Sequence, residues 1–290
     1  MKKKIGLTLG GGGARGLCHI EFIKVLDDLG LTPSVISGTS IGSIIGAFYA
    51  SGYSGRQMDN LLQDIGLREI TKLVDPSFFS LSGLVKGKGI LDMLKENLTV
   101  HTFEKLRIPL KIIATDYWQQ EQVVLDKGDL IQAIRASISL PAIFEPVKVD
   151  DRVLIDGGLS NPVPYDVIRD DCDLLIAIDV GGVPPQPQKL RLPNMFENII
   201  STVQTLQNVI VTNKMEISEP DLYYKPPFKN IGLLEFEKYE KIIESAAEDM
   251  HRFRDDLTAW KKENKGFKRH FRKRKKNRSG RRNTSKKDAS

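Results

Sequence analysis

The sequence predicts an α/β protein with a mostly parallel central sheet, helices on both faces, and a basic, disordered C-terminal tail. Three observations carry this reading. Short apolar runs alternate with helix-periodic segments through the first 50 residues, the pattern of strand–helix units that build a parallel sheet. Each of the first two strand-to-helix junctions is crowded with glycine. Basic residues collect at one end. Positions 261–290 hold 15 Lys and Arg against 2 Asp and Glu, a balance of +13, which leaves −7 for positions 1–260 within a net charge of +6. The division is a folded domain over 1–260 and a tail over 261–290.

Taken in order, 5–9 is a short apolar run ending in glycines and reads as a buried strand. Positions 17–29 place Leu17, Ile20, Ile23, Val25, Leu26 and Leu29 at helical spacing, and Gly30 ends the pattern. A second strand at 35–36 runs into Gly38-Thr39-Ser40-Ile41-Gly42, and a small-residue helix over 43–50 follows. Positions 57–101 read as mainly helical, with a Phe- and Gly-containing connection at 78–89. Strands are expected at 111–114, 123–125 and 174–180, and a hairpin joins 147–149 to 153–155 across Asp150-Asp151-Arg152. After a Pro-rich connection at 184–193, long helices are expected near 195–217 and 235–260. From Gly266 onward apolar residues almost vanish, so the chain there cannot bury enough surface to offset its ordering entropy.

Several classes are set aside at this level. No apolar run reaches the roughly 18–20 residues of a membrane-spanning helix. Met1-Lys2-Lys3-Lys4 imitates the basic part of a signal peptide, but the apolar stretch behind it is short and Gly-rich. A cytoplasmic location is therefore expected. Cys18 and Cys172 make no disulfide framework and read as buried free thiols. With no CxxC pair and four scattered histidines, no metal site is expected.

Two motifs carry chemistry. Gly38-Thr39-Ser40-Ile41-Gly42 is a G-x-S-x-G sequence between a strand and a helix, where a sharp turn would hold Ser40 in a strained conformation with its hydroxyl exposed. Gly10-Gly11-Gly12-Gly13-Ala14-Arg15-Gly16 would turn successive backbone N–H groups toward one anionic centre. That centre could be a dinucleotide pyrophosphate or an acyl-transfer oxyanion. The first expects an acid about 20 positions on, and Pro33-Ser34-Val35-Ile36-Ser37 supplies none. Arg15 adds positive charge near the loop. For a base, the histidines after Ser40 are His101, His251 and His270. None suits the Ser–acid–His order of an α/β-hydrolase, and His19 reads as packed at the start of the first helix. Asp156, in Ile155-Asp156-Gly157-Gly158 at the end of an apolar strand, is the alternative, since a buried carboxylate has a raised pKa and is a better base.

Together these pieces resemble the patatin-like phospholipase family, in particular its bacterial neuropathy-target-esterase-like branch. Gly11-Gly12-Gly13-Ala14-Arg15-Gly16 resembles the family's oxyanion loop, and Gly38-Thr39-Ser40-Ile41-Gly42 its nucleophile elbow. The run from Ala136 through Pro141 to Val147 is similar to its Ser/Pro block, and Asp156-Gly157-Gly158 with Asn161-Pro162 to its Asp-Gly-Gly block. The likeness spans 5–165 and extends to Val180. It implies a three-layer patatin-like sandwich and a serine acyl hydrolase of phospholipids, lysophospholipids or related lipids. Ser40 is then the nucleophile, Asp156 the base, and the Gly11, Gly12 and Gly13 loop with Arg15 the oxyanion and substrate-binding element. No metal or organic cofactor is implied.

For the acyl chain, 78–85 is an apolar segment that could line a groove or belong to the core. In the tail, Trp260, Phe267 and Phe271 fall on one helical face among Lys and Arg. A basic amphipathic segment suits an anionic membrane surface, so 260–282 is expected to hold the protein peripherally on the inner face of the membrane, in preference to nucleic acid. A homodimer is left open. The rival functions are a dinucleotide-binding protein and a non-catalytic, basic-tailed binding module.

Overall fold

The computed structural model describes the backbone of 3–74, 87–183 and 191–282, and side chains at 3–72, 87–183 and 191–264. Its sheet is built from β1 (Ile5–Leu9), β2 (Val35–Thr39), β3 (Leu110–Asp116), β4 (Glu121–Leu125), β5 (Val147–Val149), β6 (Arg152–Asp156), β7 (Leu174–Ile178) and β8 (Leu222–Tyr224). The strand order is β5-β6-β3-β2-β1-β7-β8, with β4 on the second edge of β3. The five strands from β8 through β7, β1 and β2 to β3 are parallel, while β4 and β6 each pair antiparallel to β3 and β5 pairs antiparallel to β6. The expected mostly parallel sheet is present, finished around β3 by β4 on one edge and by the β5–β6 hairpin on the other, past the end of β2.

The helices are α1 (His19–Asp28), α2 (Ile41–Ser51), α3 (Gly55–Ile65), α4 (Leu67–Val74), α5 (Lys88–Asn97), α6 (Leu130–Ser137), α7 (Met195–Ile217) and α8 (Tyr239–Arg282). They cover both faces. β1 and β7 are buried throughout. Leu7, Leu9, Ile176 and Ile178 pack with α1, α2 and α8 on one side. Leu175 and Ala177 pack with Val163, Tyr165 and Val211 of α7 on the other. Burial on both faces explains why these strands read as continuous apolar runs. Where a polar residue interrupts the run it is satisfied: Thr8 and Ser37 share a hydrogen bond of 2.9 Å, and Ser37 donates onward to the Pro164 carbonyl.

The differences from expectation have local causes. The first helical segment begins as a 3-10 turn, Gly13–Cys18, and becomes α-helical only at His19, because the glycine loop closes tightly before the helix proper. α6 and β8 were not expected. Each is short, and each is stabilised by neighbours distant in sequence. Both cysteines are free, but Cys172 is only half-buried. The connection at 78–86, including the segment proposed for an acyl groove, lies outside the described residues, as do positions 184–190. The side chains of Phe267 and Phe271 and all of 283–290 also lie outside them, so beyond Asn264 only the backbone to Arg282, which continues α8, is described.

Candidate active site

The site forms where β2 ends. Thr39 pairs with Ile113 of β3, and the next β3 residue, Ala114, pairs with Asp156 of β6. β4 occupies the opposite edge of β3 at these positions, so β6 continues along the edge that β2 vacates. The register alone therefore places Ser40, one residue past Thr39, beside Asp156.

Ser40 has φ 52° and ψ −123° and is the N-cap of α2. A non-glycine residue at positive φ is strained and persists only where the surroundings hold it. They do so here. The Ser40 N–H donates to Ser137 Oγ at 2.9 Å, Ser43 Oγ donates to the Ser40 carbonyl at 2.6 Å, and Thr39 Oγ1 donates to the Asn161 carbonyl at 2.8 Å. The motif glycines make the crossing possible: a Cβ on Gly42 would lie 2.0 Å from the Leu9 carbonyl, and one on Gly38 2.6 Å from that of Gly42. The positive end of the α2 dipole is aimed at Ser40.

Asp156 is 2% exposed. Desolvation pushes its carboxyl up to about 6, opposed by hydrogen bonds from the Gly158 N–H and from the Ser40 side chain. The Gly158 N–H lies 2.7 Å from Oδ1. Gly157 leaves no room for a side chain, since its Cβ would sit 2.2 Å from the Ile113 carbonyl. The backbone of Asp156 is anchored by Ser139 and Thr115.

The glycine loop lies over Ser40, where a Cβ on Gly11 would be 3.3 Å from the Ser40 Cβ. Its N–H groups are unequal. Gly10 and Gly11 donate to the carbonyls of Ile178 and Pro162 at 2.9 Å each, so the Gly11 N–H is already engaged. Gly12 and Gly13 line the cavity beside Ser40 and Asp156, and their N–H groups have no backbone acceptor among the described residues. Gly13 adopts φ 59°, with the Leu233 carbonyl 2.1 Å from where a Cβ would stand. Close contacts with Leu233 and Val180 pack the loop from outside. Gly16 brings the 3-10 turn against Ile41.

Arg15 does not line the cavity. It is 1% exposed and packs behind the loop, with Nε donating to the Gly12 carbonyl at 3.2 Å. The Gly12 C=O and the Gly13 N–H share one trans peptide plane and point in opposite directions. Holding the carbonyl toward Arg15 therefore turns the Gly13 N–H away from it. Burial lowers the guanidinium to about 10 against the opposing pull of Asp179, so Arg15 stays charged at neutral pH. His19 plays a similar part. It is fully buried, held neutral by desolvation that pulls it down to about 4, and its Nε2 meets the Gly10 carbonyl at 2.9 Å. Among the described residues no histidine lines the cavity, and no cluster of His, Cys, Asp or Glu could hold a metal ion.

The cavity, about 80 Å³, is otherwise apolar apart from two glutamines. Ile138, Leu140, Ile143 and Phe144 come from the Ser/Pro block. Ile200, Val203, Gln204 and Gln207 come from α7, and Leu233, Leu234 and Phe236 from the segment before α8. Sequence reasoning missed this second half of the wall. Its one signal was the apolar periodicity of α7, which says that a face is covered but not by what.

A serine at a strand-to-helix turn, a buried carboxylate beside it and a glycine loop with two N–H groups that have no backbone acceptor among the described residues meet at one end of this α/β fold. Residues 7–168 match the model of the patatin-like phospholipase family, and the chain belongs to that family. Among its relatives, an uncharacterized NTE family protein of Mycobacterium tuberculosis is 35% identical, over 66% of this chain and 53% of its own. A protein of Kluyveromyces lactis named Lysophospholipase NTE1 is 28% identical, over 83% of this chain and 18% of its own. The chain thus spans about half the length of the mycobacterial relative and less of the yeast one. Among solved structures, VipD from Legionella pneumophila shares the fold, with a TM-score of 0.52, 12% identity and coverage of 88% of this chain and 67% of that one. Among the described residues no helix is long and apolar enough to cross a membrane.

Proposed function

We propose that this chain hydrolyses acyl esters of phospholipids, lysophospholipids or related lipids through Ser40 and Asp156. The observation that carries the reading is the pair itself: a serine held at positive φ beside a carboxylate raised to about 6 by burial. At neutral pH the carboxylate is ionised yet basic enough to take a proton. Asp156 accepts the Ser40 hydroxyl proton as Oγ attacks the ester carbonyl. The N–H groups of Gly12 and Gly13 receive the oxyanion, and a preorganised donor of this kind is worth about 2.7–4 kcal/mol of barrier. On collapse the C–O bond to the leaving alcohol breaks, and Asp156 returns the proton to that oxygen. Water, deprotonated by Asp156, then attacks the acyl-enzyme, the bond from the acyl carbon to Ser40 Oγ breaks, and Asp156 returns the proton to Oγ as the fatty acid leaves. Arg15 acts as a positioning residue for the Gly12–Gly13 peptide. The apolar cavity supports a lipid acyl group, and the name of the yeast relative supports a lysophospholipid.

Labelling with a fluorophosphonate tests the assignment. Wild type is expected to label, and folded Ser40→Ala and Asp156→Asn are not. Equal labelling of all three, or of none, would remove the dyad. The domain reading assigns catalysis to 1–260 and attachment to anionic phospholipid to the tail. A chain ending at Ala259 is then expected to lose sedimentation with anionic vesicles while keeping its labelling.

A further inference from the structure

A second cavity, about 100 Å³, adjoins the first, and its walls are apolar without exception among the described residues. Ile41, Ile44, Ile90 and Phe236 face both cavities. Helix α2 runs from one to the other. Its residues Ile41, Ile44, Ile45 and Phe48 form a single helical stripe. The first two line both cavities, and the last two line only the second. From Ile41 to Phe48 the stripe covers about 10 Å at 1.5 Å per residue. Met58 and Leu62 of α3 and Met93 of α5 line the second cavity and not the first.

An apolar cavity of this size left empty forgoes the dispersion contacts that its walls would make with an apolar ligand. One beginning beside the nucleophile, walled by isoleucine, leucine and methionine, matches a flexible hydrocarbon chain in shape and chemistry. We propose that this cavity is an acyl-chain subsite: the part of a substrate acyl chain that the catalytic cavity cannot hold passes Ile44 and Phe236 and lies along α2 toward Phe48 and Met58. The inference rests on the acyl-hydrolase reading and deepens it, because the length of the stripe then sets a chain-length preference. Short acyl groups are held by the catalytic cavity alone, and longer ones gain contacts with each methylene that enters the second.

The test fills the second cavity without touching the first. Leu61 and Met93 line it, are half-buried, and do not line the catalytic cavity, so Leu61→Trp and Met93→Trp are the variants. Rates are measured on p-nitrophenyl esters from butyrate to palmitate. Wild type is expected to gain kcat/KM with length. The variants are expected to keep butyrate activity within twofold and to lose laurate and palmitate activity at least tenfold. An equal loss at every length, or no loss, would overturn the subsite. A parallel arm reads binding without catalysis. Ser40→Ala, with the cavity intact, is titrated with fatty acids of rising length while its unfolding temperature is followed. Stabilisation that grows through laurate supports the subsite even if no ester is cleaved, in which case the hydrolase reading alone fails. Stabilisation that is flat with chain length overturns the subsite even if esters are cleaved and whether or not the tryptophan variants fold.

Discussion

Replacing Asp156 with asparagine separates what the carboxylate does for chemistry from what it does to the fold. The group is buried, and its pKa rises from 3.8 to about 6. The folded protein thus binds this proton more tightly than the unfolded chain, and ionisation opposes folding. That rise, at 1.36 kcal/mol per pH unit, corresponds to about 3 kcal/mol. This cost is absent below about pH 4, grows between about pH 4 and 6, and is complete above. Asparagine has the same shape, keeps an acceptor for the Gly158 N–H, and does not ionise. Asp156→Asn is therefore expected to be more stable than wild type by up to about 3 kcal/mol at pH 7.5 and equal to it near pH 4, while losing activity. Urea unfolding of both proteins at several pH values measures the difference. A variant less stable than wild type at pH 7.5, or a difference that does not change with pH, would refute the idea that burial of an ionised carboxylate is what raises Asp156.

The same carboxylate predicts the pH profile of the reaction: kcat/KM for an ester is expected to be flat above pH 7 and to fall tenfold per unit below about 6. Ser40→Gly relieves a positive-φ strain and is expected to raise stability by about 1 kcal/mol while abolishing fluorophosphonate labelling. Gly42→Ala forces a Cβ against the Leu9 carbonyl and is expected to destabilise by about 2 kcal/mol or more, read as a lower urea midpoint. Arg15→Met leaves the Gly12 carbonyl unclamped and is expected to lower kcat about tenfold or more with KM little changed, with the secondary structure retained by circular dichroism.

Local sequence was sufficient wherever local geometry sets the chemistry. β1 is an uninterrupted apolar run because both of its faces are buried, so it could be read at the right residues. The elbow could be read because only glycine tolerates the crossing at positions 38 and 42. Asp156 stood out because it closes an apolar strand and is followed by two glycines. α6 could not be placed in the same way. It is an eight-residue helix, and it matters because Ser137, its last residue, receives the Ser40 N–H.

What only the tertiary structure decided is set by pairing between distant strands. Nothing local to Ser40 or Asp156 says that they meet. They do so because Thr39 and Asp156 bind consecutive residues on one edge of β3. The availability of each loop N–H was likewise hidden, since the Pro162 carbonyl takes that of Gly11. So was the direction of Arg15, which a charge count places near the site and packing turns behind the loop. The outer wall of the cavity comes from α7 and the segment around Leu233, where an apolar residue records only that it is buried. Hydrophobic burial is non-directional, so the sequence carries which residues leave water, and the register of the sheet determines which of them face Ser40.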